Sequence, residues 1–493
     1  MSKNKNKYII QLLTGLLMIL AVSCEMDTKT ARPNLPPNTT IANIPIDDST
    51  YFALLTLHWD GEDYDGFVPH YEYSYTTYNI TTGDSVTHDW VKTEKTSMSI
   101  PFQSENELNK QKFMVRAVDN EGQPDPEPAQ KIFYTTKSHP PAVQIISPKQ
   151  NKKYLGLSAA SDWWPGVTLL YKGTDQDQFH GDKVVEYAWK IDSKEFEWTK
   201  DSLIVITPDM MDTPIDGEHT VKVIARDKTN LISADTSTVT FELQFPQFNK
   251  EVLVIDATDE NVWLNGLEDA TDNDVDNFYR DLYPGCDEWD LNYYGKLPSL
   301  EELGQYKTIV WHADNYPASK PKYAIGDFTD EIANYMNIGG NLIVSGWRIL
   351  KTFDWTGWGN EPVTEFEPNS FIYKYLHINV AQETGFFGDL TKAIGVQGFN
   401  DLHVDAQKLP GFTYGGKLSY VNLIKRTGGF TGKIYIYDNP ADSNTPEYRG
   451  QTVGLRYYGT SFQSVVLCFP LYFMEKEDAK SMVQNVLKSF EEN

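Results

Sequence analysis

The sequence predicts a multidomain chain: two all-β sandwiches followed by an α/β three-layer domain with a mainly parallel sheet. Two observations carry this expectation. A strand, acidic turn, strand pattern near residue 55 returns near residue 169, and each copy leads to a further alternating strand, so that roughly 100 residues make one seven-stranded unit. Past residue 250 the alternation gives way to continuous apolar runs separated by amphipathic stretches, the pattern of doubly buried parallel strands with covering helices. Length agrees, since 493 residues at roughly 150 per domain make about three domains.

Composition removes other classes. Lys plus Arg total 43 against 69 Asp plus Glu, a formal charge of −26 that repels a phosphate backbone, so nucleic acid is not an expected partner. With 26 Pro, 33 Gly and 13% aromatics the chain is neither collagen-like nor a coiled coil.

The first element is an address. Lys3, Lys5 and Lys7 precede an apolar run, Tyr8 to Val22, too short for a comfortable membrane span, and the run stops at Leu20-Ala21-Val22-Ser23-Cys24. Small residues before a cysteine at this place resemble a bacterial lipobox. The resemblance implies a signal peptide over 1–23 and a lipidated Cys24 that anchors the chain to a membrane; the competing reading is an ordinary secretory signal. Losing three lysines and no acid deepens the charge from −26 to −29. Glu25 and Asp27 resemble the export signal of Bacteroidetes-type surface lipoproteins, which implies an outer-membrane anchor facing the exterior. Residues 24–48 hold four prolines in 28–48 and read as an extended tether. Cys286 and Cys468 remain and are expected as free thiols.

The two β modules are expected over 49–138 and 139–246. Leu55-Thr56-Leu57-His58-Trp59 leads through Asp60 to Asp65 into Tyr71-Glu72-Tyr73. Leu169-Leu170-Tyr171 leads through Asp175 and Asp177 into Glu186-Tyr187-Ala188-Trp189. Lys112 to Asn120 then matches His219 to Asp227, and Lys131–Tyr134 matches Thr238–Leu243. These residues resemble fibronectin type III and immunoglobulin-like modules, joined at Pro140-Pro141. The acidic turns offer hard oxygen ligands, so calcium is one reading. Their spacing does not fit an EF-hand, and turn chemistry alone explains Asp and Gly there, so the expectation is no cofactor. Trp163-Trp164 either stack on a sugar or cover an edge or joint.

The third domain is expected over 247–493, with an insertion at about 351–450. Its strands are Glu251–Asp256, Thr308–His312, Asn341–Gly346 and Val465–Phe469; its helices are Val275–Leu282, Ile325–Met336 and Lys476–Phe490. The acidic run 268–276 reads as a charged helix start. The Val-Leu-Val-Ile-Asp opening, Tyr306–Asp314, the Gly339–Gly346 segment and the late Val465–Leu471 strand with its helix resemble the class I glutamine amidotransferase-like superfamily. That family implies a flavodoxin-like sheet and a nucleophilic cysteine after the segment corresponding to Leu342–Ser345. Here the sequence runs Val344-Ser345-Gly346-Trp347-Arg348, with no cysteine.

Ser345 can be proposed as nucleophile with His377 or His403 as base and Asp405 as orienting acid, although the full Gly-x-Ser-x-Gly elbow is missing. Strand ends in open α/β sheets host ligands, which nominates Asp256, Asp259, Trp311, His312, Asp314, Trp347 and Arg348. The competing reading has the acids capping helices and the tryptophans filling the core. No metal site is expected. The expected function is a surface-anchored lipoprotein whose α/β domain, without the family nucleophile, binds a glycan or an outer-membrane partner protein, with polysaccharide or nutrient uptake as its setting. The alternatives are a hydrolase acting on carbohydrate or ester at the strand-end cluster, and a structural subunit of an outer-membrane complex.

Overall fold

The computed structural model describes residues 33–42, 44, 48–102, 107–259, 271–317, 319–353, 363–409 and 415–491. Cys24 and the signal segment lie outside the described residues. The chain is multidomain and predominantly β. It divides into two compact units, one of residues up to 142 with the loops 174–185 and 225–234, the other of the remaining second module and the C-terminal domain.

In the first module a three-stranded sheet (Asn38–Ile41, Leu54–Glu62, Ser97–Pro101) faces a five-stranded one (Thr50–Tyr51, Ala129–Thr136, Leu108–Val118, His70–Asn79, Ser85–Thr93). Alternation puts Leu57, Trp59, Tyr71, Tyr73, Phe113, Val115 and Phe133 into one core, with Trp59 against Tyr71, Tyr73 and Phe113. Asn38–Ile41, inside the segment expected as tether, is a paired strand: it lies antiparallel to Trp59–Glu62. Its prolines flank the strand, Pro36 and Pro37 before Asn38 and Pro45 after Ile41, leaving Thr39, Thr40 and Ile41 free to join the ladder.

The second module repeats the plan. Its sheets are Leu203–Ile206, Val167–Thr174, Ala142–Ser147 and Lys153–Leu155, Ser237–Gln244, Gly217–Asp227, Val184–Ile191, Glu197–Thr199. Trp164 is buried in this core. Trp163 packs at 4.7 Å on Phe462 and 5.5 Å on Tyr375 of the C-terminal domain, so the pair covers a joint rather than a sugar.

The C-terminal domain is built on a twelve-stranded sheet. Five strands run parallel, in the spatial order Asp287–Asp290, Lys250–Asp256, Tyr306–Ala313, Asn341–Gly346, Gln463–Leu467. The expectation of a mainly parallel sheet is corrected: Thr452–Tyr458 pairs antiparallel with the last of them, and strands of the 351–450 region continue from there. The Gly-rich aromatic runs of that region, expected as an insertion, mask short alternating strands such as Thr431–Asp438. Both faces are covered. Val252, Val254, Val310, Ile343 and Val465 meet the helices Asp272–Leu282 and Lys476–Glu491, whereas Leu253, Ile255, Trp311, Val344 and Val466 meet Thr329–Asn337. Gly340 precedes the fourth strand because a Cβ there would fall 2.1 Å from the buried Tyr335 ring. Among the described residues no helix is long and apolar enough to cross a membrane, and Cys286 and Cys468 are free thiols.

Candidate functional site

Parallel pairing sets Asp256 beside His312 and His312 beside Ser345, three polar residues in a row at the carboxyl ends of adjacent strands. All project to the face covered by Asp272–Leu282. That helix begins with a reciprocal cap, Thr271 to the Asp274 amide and Asp274 to the Thr271 amide, which fixes its first turn over the strand ends. Asp276 and Tyr279, three residues apart, therefore share its inner face.

The centre of the row is His312, 1% exposed. Its Nδ1 lies 3.0 Å from Asp314 Oδ2, 3.4 Å from Asp256 Oδ1 and 3.3 Å from Thr258 Oγ1, and its ring stacks on Tyr279. Burial disfavours the charged imidazole, but the charges of Asp256 and Asp314 outweigh it and hold its pKa above the ordinary value. Asp314 is anchored by the Tyr472 amide at 2.9 Å. Asp256 accepts from the Thr258 amide at 2.8 Å, and its Oδ2 has no partner. Burial, opposed by His312, raises the Asp256 carboxyl above its usual range; burial raises Asp276 likewise.

These groups line a cleft of about 250 Å³ with Arg280, Glu288, Asp290, Tyr293 and Tyr294. Arg280 bridges Glu288 at 2.6 Å and Asp276 at 3.3 Å. At the rim Tyr294 stacks on Trp289 at 3.9 Å, and Tyr293, 79% exposed, stands edge-on to Tyr294. Asp256, Asp272 and Asp276 bring oxygens within 4.8 Å of one another and could hold a cation, but Arg280 and His312 already supply positive charge there. A larger cavity, about 700 Å³, opens at the opposite strand ends beside Lys250, Cys286 and Phe490. The Cys286 thiol there is pushed up to about 11 by burial, so it is a poor nucleophile, and the acid–base constellation lies at the smaller cleft.

The other nominated residues go elsewhere. Trp311 alternates to the opposite face and is fully buried; Trp347 is buried too, with its indole N–H donated to the Ser419 carbonyl at 2.8 Å, so neither faces a ligand. Arg348 forks onto Glu383 at 2.8 and 3.0 Å and donates to the Pro317 carbonyl, a structural clamp. The Asp259 amide bonds Asn315. The serine constellation does not assemble. Ser345 Oγ bonds the Tyr279 hydroxyl at 3.0 Å, His377 stacks on Tyr457, His403 pairs with Asp478 at 2.8 Å, and Asp405 lies 3.7 Å from Lys408. Burial also lowers His377 to about 4, too weak a base for a serine. Asp276, Tyr279, Tyr293 and Tyr294 were not foreseen. The spacing Asp276-x-x-Tyr279 on an amphipathic helix is a usable signal; the short helix Leu291–Tyr294, capped by Asp290, gives none.

No protein-family model and no curated protein matches the chain. Among solved structures it is similar to the fibronectin(III)-like modules of Clostridium thermocellum CbhA, at 16% identity over 42% of this chain and 95% of that one, TM-score 0.20. It is also similar to a bacterial ice-binding adhesin, at 14% identity over 46% and 73%, TM-score 0.19. Chicken CNTN1 FN1–FN3 domains follow at 15% identity over 44% and 68%, TM-score 0.17. The sandwich architecture stated above rests on the strand pairing of this chain.

Proposed function

We propose that this chain is a surface-anchored lipoprotein whose C-terminal domain binds a glycan at the strand-end cleft without covalent chemistry. The cleft carries the reading: carboxylates and an arginine that can bond hydroxyls share it with the exposed Tyr293 and with Tyr294, which is braced by Trp289, a surface suited to a sugar ring. The order of the five parallel strands, 2-1-3-4-5 in chain sequence, supports the flavodoxin-like, amidotransferase-like reading of the domain. After the strand end where that family carries its nucleophile stand Gly346, Trp347 and Arg348, and the nearby Ser345 hydroxyl is tied to Tyr279. Lipid attachment at Cys24 and an outward-facing outer-membrane location rest on the lipobox sequence.

Screening the mature protein on glycan arrays tests this. Binding by the wild type, weakened in Tyr294→Ala, supports it; silence on the arrays together with turnover of simple esters or amides overturns it. One observation favours a second reading, hydrolysis of a carbohydrate: the Asp256 carboxyl is raised and has an oxygen without a partner in the cleft, as a proton donor needs. In that case Asp256→Asn abolishes turnover while Ser345→Ala leaves it unchanged.

A further inference from the structure

The first unit contains a separate acidic assembly that does not depend on the glycan reading. Asp175, Asp177 and Asp182 are each buried and bring carboxylate oxygens within 4.8 Å of one another. Beside them Asp227 is fully buried. Its Oδ1 accepts from the Thr229 hydroxyl at 2.8 Å and the Leu231 amide at 2.9 Å, while its Oδ2 has no partner; Asp175 Oδ2 has none either. Burial first, then the charges of Asp182 and Asp175, push the Asp227 carboxyl up to about 6 against the pull of Thr229 and Leu231. The basic groups close by are engaged at the periphery. Lys228 donates to the Gly181 carbonyl at 2.8 Å, and His139 turns its amide and Nδ1 to Asp177. Carboxylates buried at this density require a counter-charge.

The first module supplies an internal comparison. Asp63, Asp65 and Asp119 hold the repeat positions of Asp175, Asp177 and Asp227. In both modules the second acid's amide bonds the first acid's carboxylate, at 3.4 and 2.8 Å. In both, the amide of an incoming segment, from Leu35 or His139, bonds the second acid, at 3.2 and 2.7 Å. The difference lies at the third acid: the Asn34 side-chain amide fills Asp119 Oδ2, whereas Asp227 Oδ2 is left open. Asp65 is also exposed, and the longer loop 178–183 of the second module brings in Asp182, for which the first has no equivalent.

We propose that Asp175, Asp177, Asp182 and Asp227 bind one divalent hard cation of the calcium class. All four donors are carboxylate oxygens, which suit a hard cation rather than a thiolate- or imidazole-seeking metal. Calcium bonds oxygen at about 2.3–2.6 Å, so ligands on opposite sides of it lie about 5 Å apart, the span that the Asp175, Asp177 and Asp182 oxygens cover; Asp227 adjoins them and turns an unpartnered oxygen to the assembly. The ion would join two loops, 174–185 and 225–234, already linked by Ser138, whose hydroxyl meets Asp182 Oδ2 and Thr229 Oγ1 at 3.0 Å each.

Calorimetric titration of the EDTA-stripped full chain with calcium chloride, paired with thermal unfolding in calcium and in EDTA, tests the site. The wild type should bind calcium and unfold at a higher temperature with it. Asp175→Asn and Asp227→Asn should each weaken binding at least about tenfold, as removal of a ligand charge does, while Asp65→Asn in the first module changes nothing. Asp227→Asn should also unfold at a higher temperature than the wild type in EDTA, because it relieves the repulsion the cation would otherwise neutralise. Absence of calcium heat and of any thermal shift up to roughly 10 mM, beyond the range of weak extracellular sites, overturns the proposal. Binding that survives both Asp175→Asn and Asp227→Asn overturns it equally. Should either variant fail to fold, the wild-type titration and Asp182→Asn decide.

Discussion

His312 lies face to face on Tyr279, ring centres 3.7 Å apart and planes 12° apart, while its Nδ1 points to Asp314 at 3.0 Å. The stack fixes the plane of the imidazole and the carboxylate fixes its rotation, so the strand-end row is held before any ligand arrives. Rigidity of this kind suits recognition of a ligand by fixed hydrogen bonds.

Ser345 is a partner of Tyr279 rather than a nucleophile. Ser345→Ala should leave glycan binding intact and lower stability by about 1–3 kcal/mol, the cost of leaving a buried hydroxyl short of a bond. Urea denaturation measures the second quantity; loss of binding in this variant, with the fold intact, counts against the assignment.

Rim aromatics should matter to affinity and not to folding. Tyr294→Ala removes the ring stacked on Trp289 and should weaken glycan binding about tenfold, the scale of one aromatic contact. Unchanged affinity by calorimetry places the ligand elsewhere.

Arg348 should be indispensable to the C-terminal domain. Its left-handed backbone (φ 54°) and its fork onto Glu383 are both built into the turn after the fourth parallel strand, and the two side chains are 9% and 17% exposed. Arg348→Ala strands the Glu383 charge and should cost about 3–5 kcal/mol, whereas the paired change with Glu383→Gln should recover part of it. Additive losses in that double-mutant cycle would show the two residues to be uncoupled.

A pH signature is expected from the second module, where His219 Nδ1 lies 2.8 Å from Asp192 Oδ2 in a buried pair. The Asp192 hydrogen bond, against burial, raises His219 above its ordinary 6.5, so its contribution is full below that value and fades as pH rises through the raised one. Burial opposes ionisation of Asp192, but His219 and the Thr220 and Asp212 amides prevail and lower it below 3.8; its contribution is full above that value and fades as pH falls through the lowered one. The stability gap between wild type and His219→Gln should therefore be widest between pH 3.8 and 6.5. A gap constant from pH 3 to 9 removes the linkage.

The sequence was most informative where periodicity was strict. Period-2 alternation in Leu55–Trp59 and Val221–Ala225 and the apolar run Val252–Ile255 announced strands that the chain forms. Strand-end logic brought Asp256, His312 and Asp314 together. The same logic misplaced Trp311, because adjacent strand residues face opposite ways and only one of Trp311 and His312 can look into the cleft. Pairing across distance was not legible: nothing local in Thr431–Asp438 says that it extends the sheet, and nothing in Asn34 says that it reaches Asp119.

The position of Gln463–Leu467 has a further consequence for assembly. It sits between Asn341–Gly346, which precedes it by more than a hundred residues, and Thr452–Tyr458. A chain emerging from the ribosome therefore holds four parallel strands with an unfinished, apolar flank until that late segment arrives to close it. Completion of this sheet therefore waits on a long-range pairing, and the open flank is where the growing chain is most exposed to wrong partners.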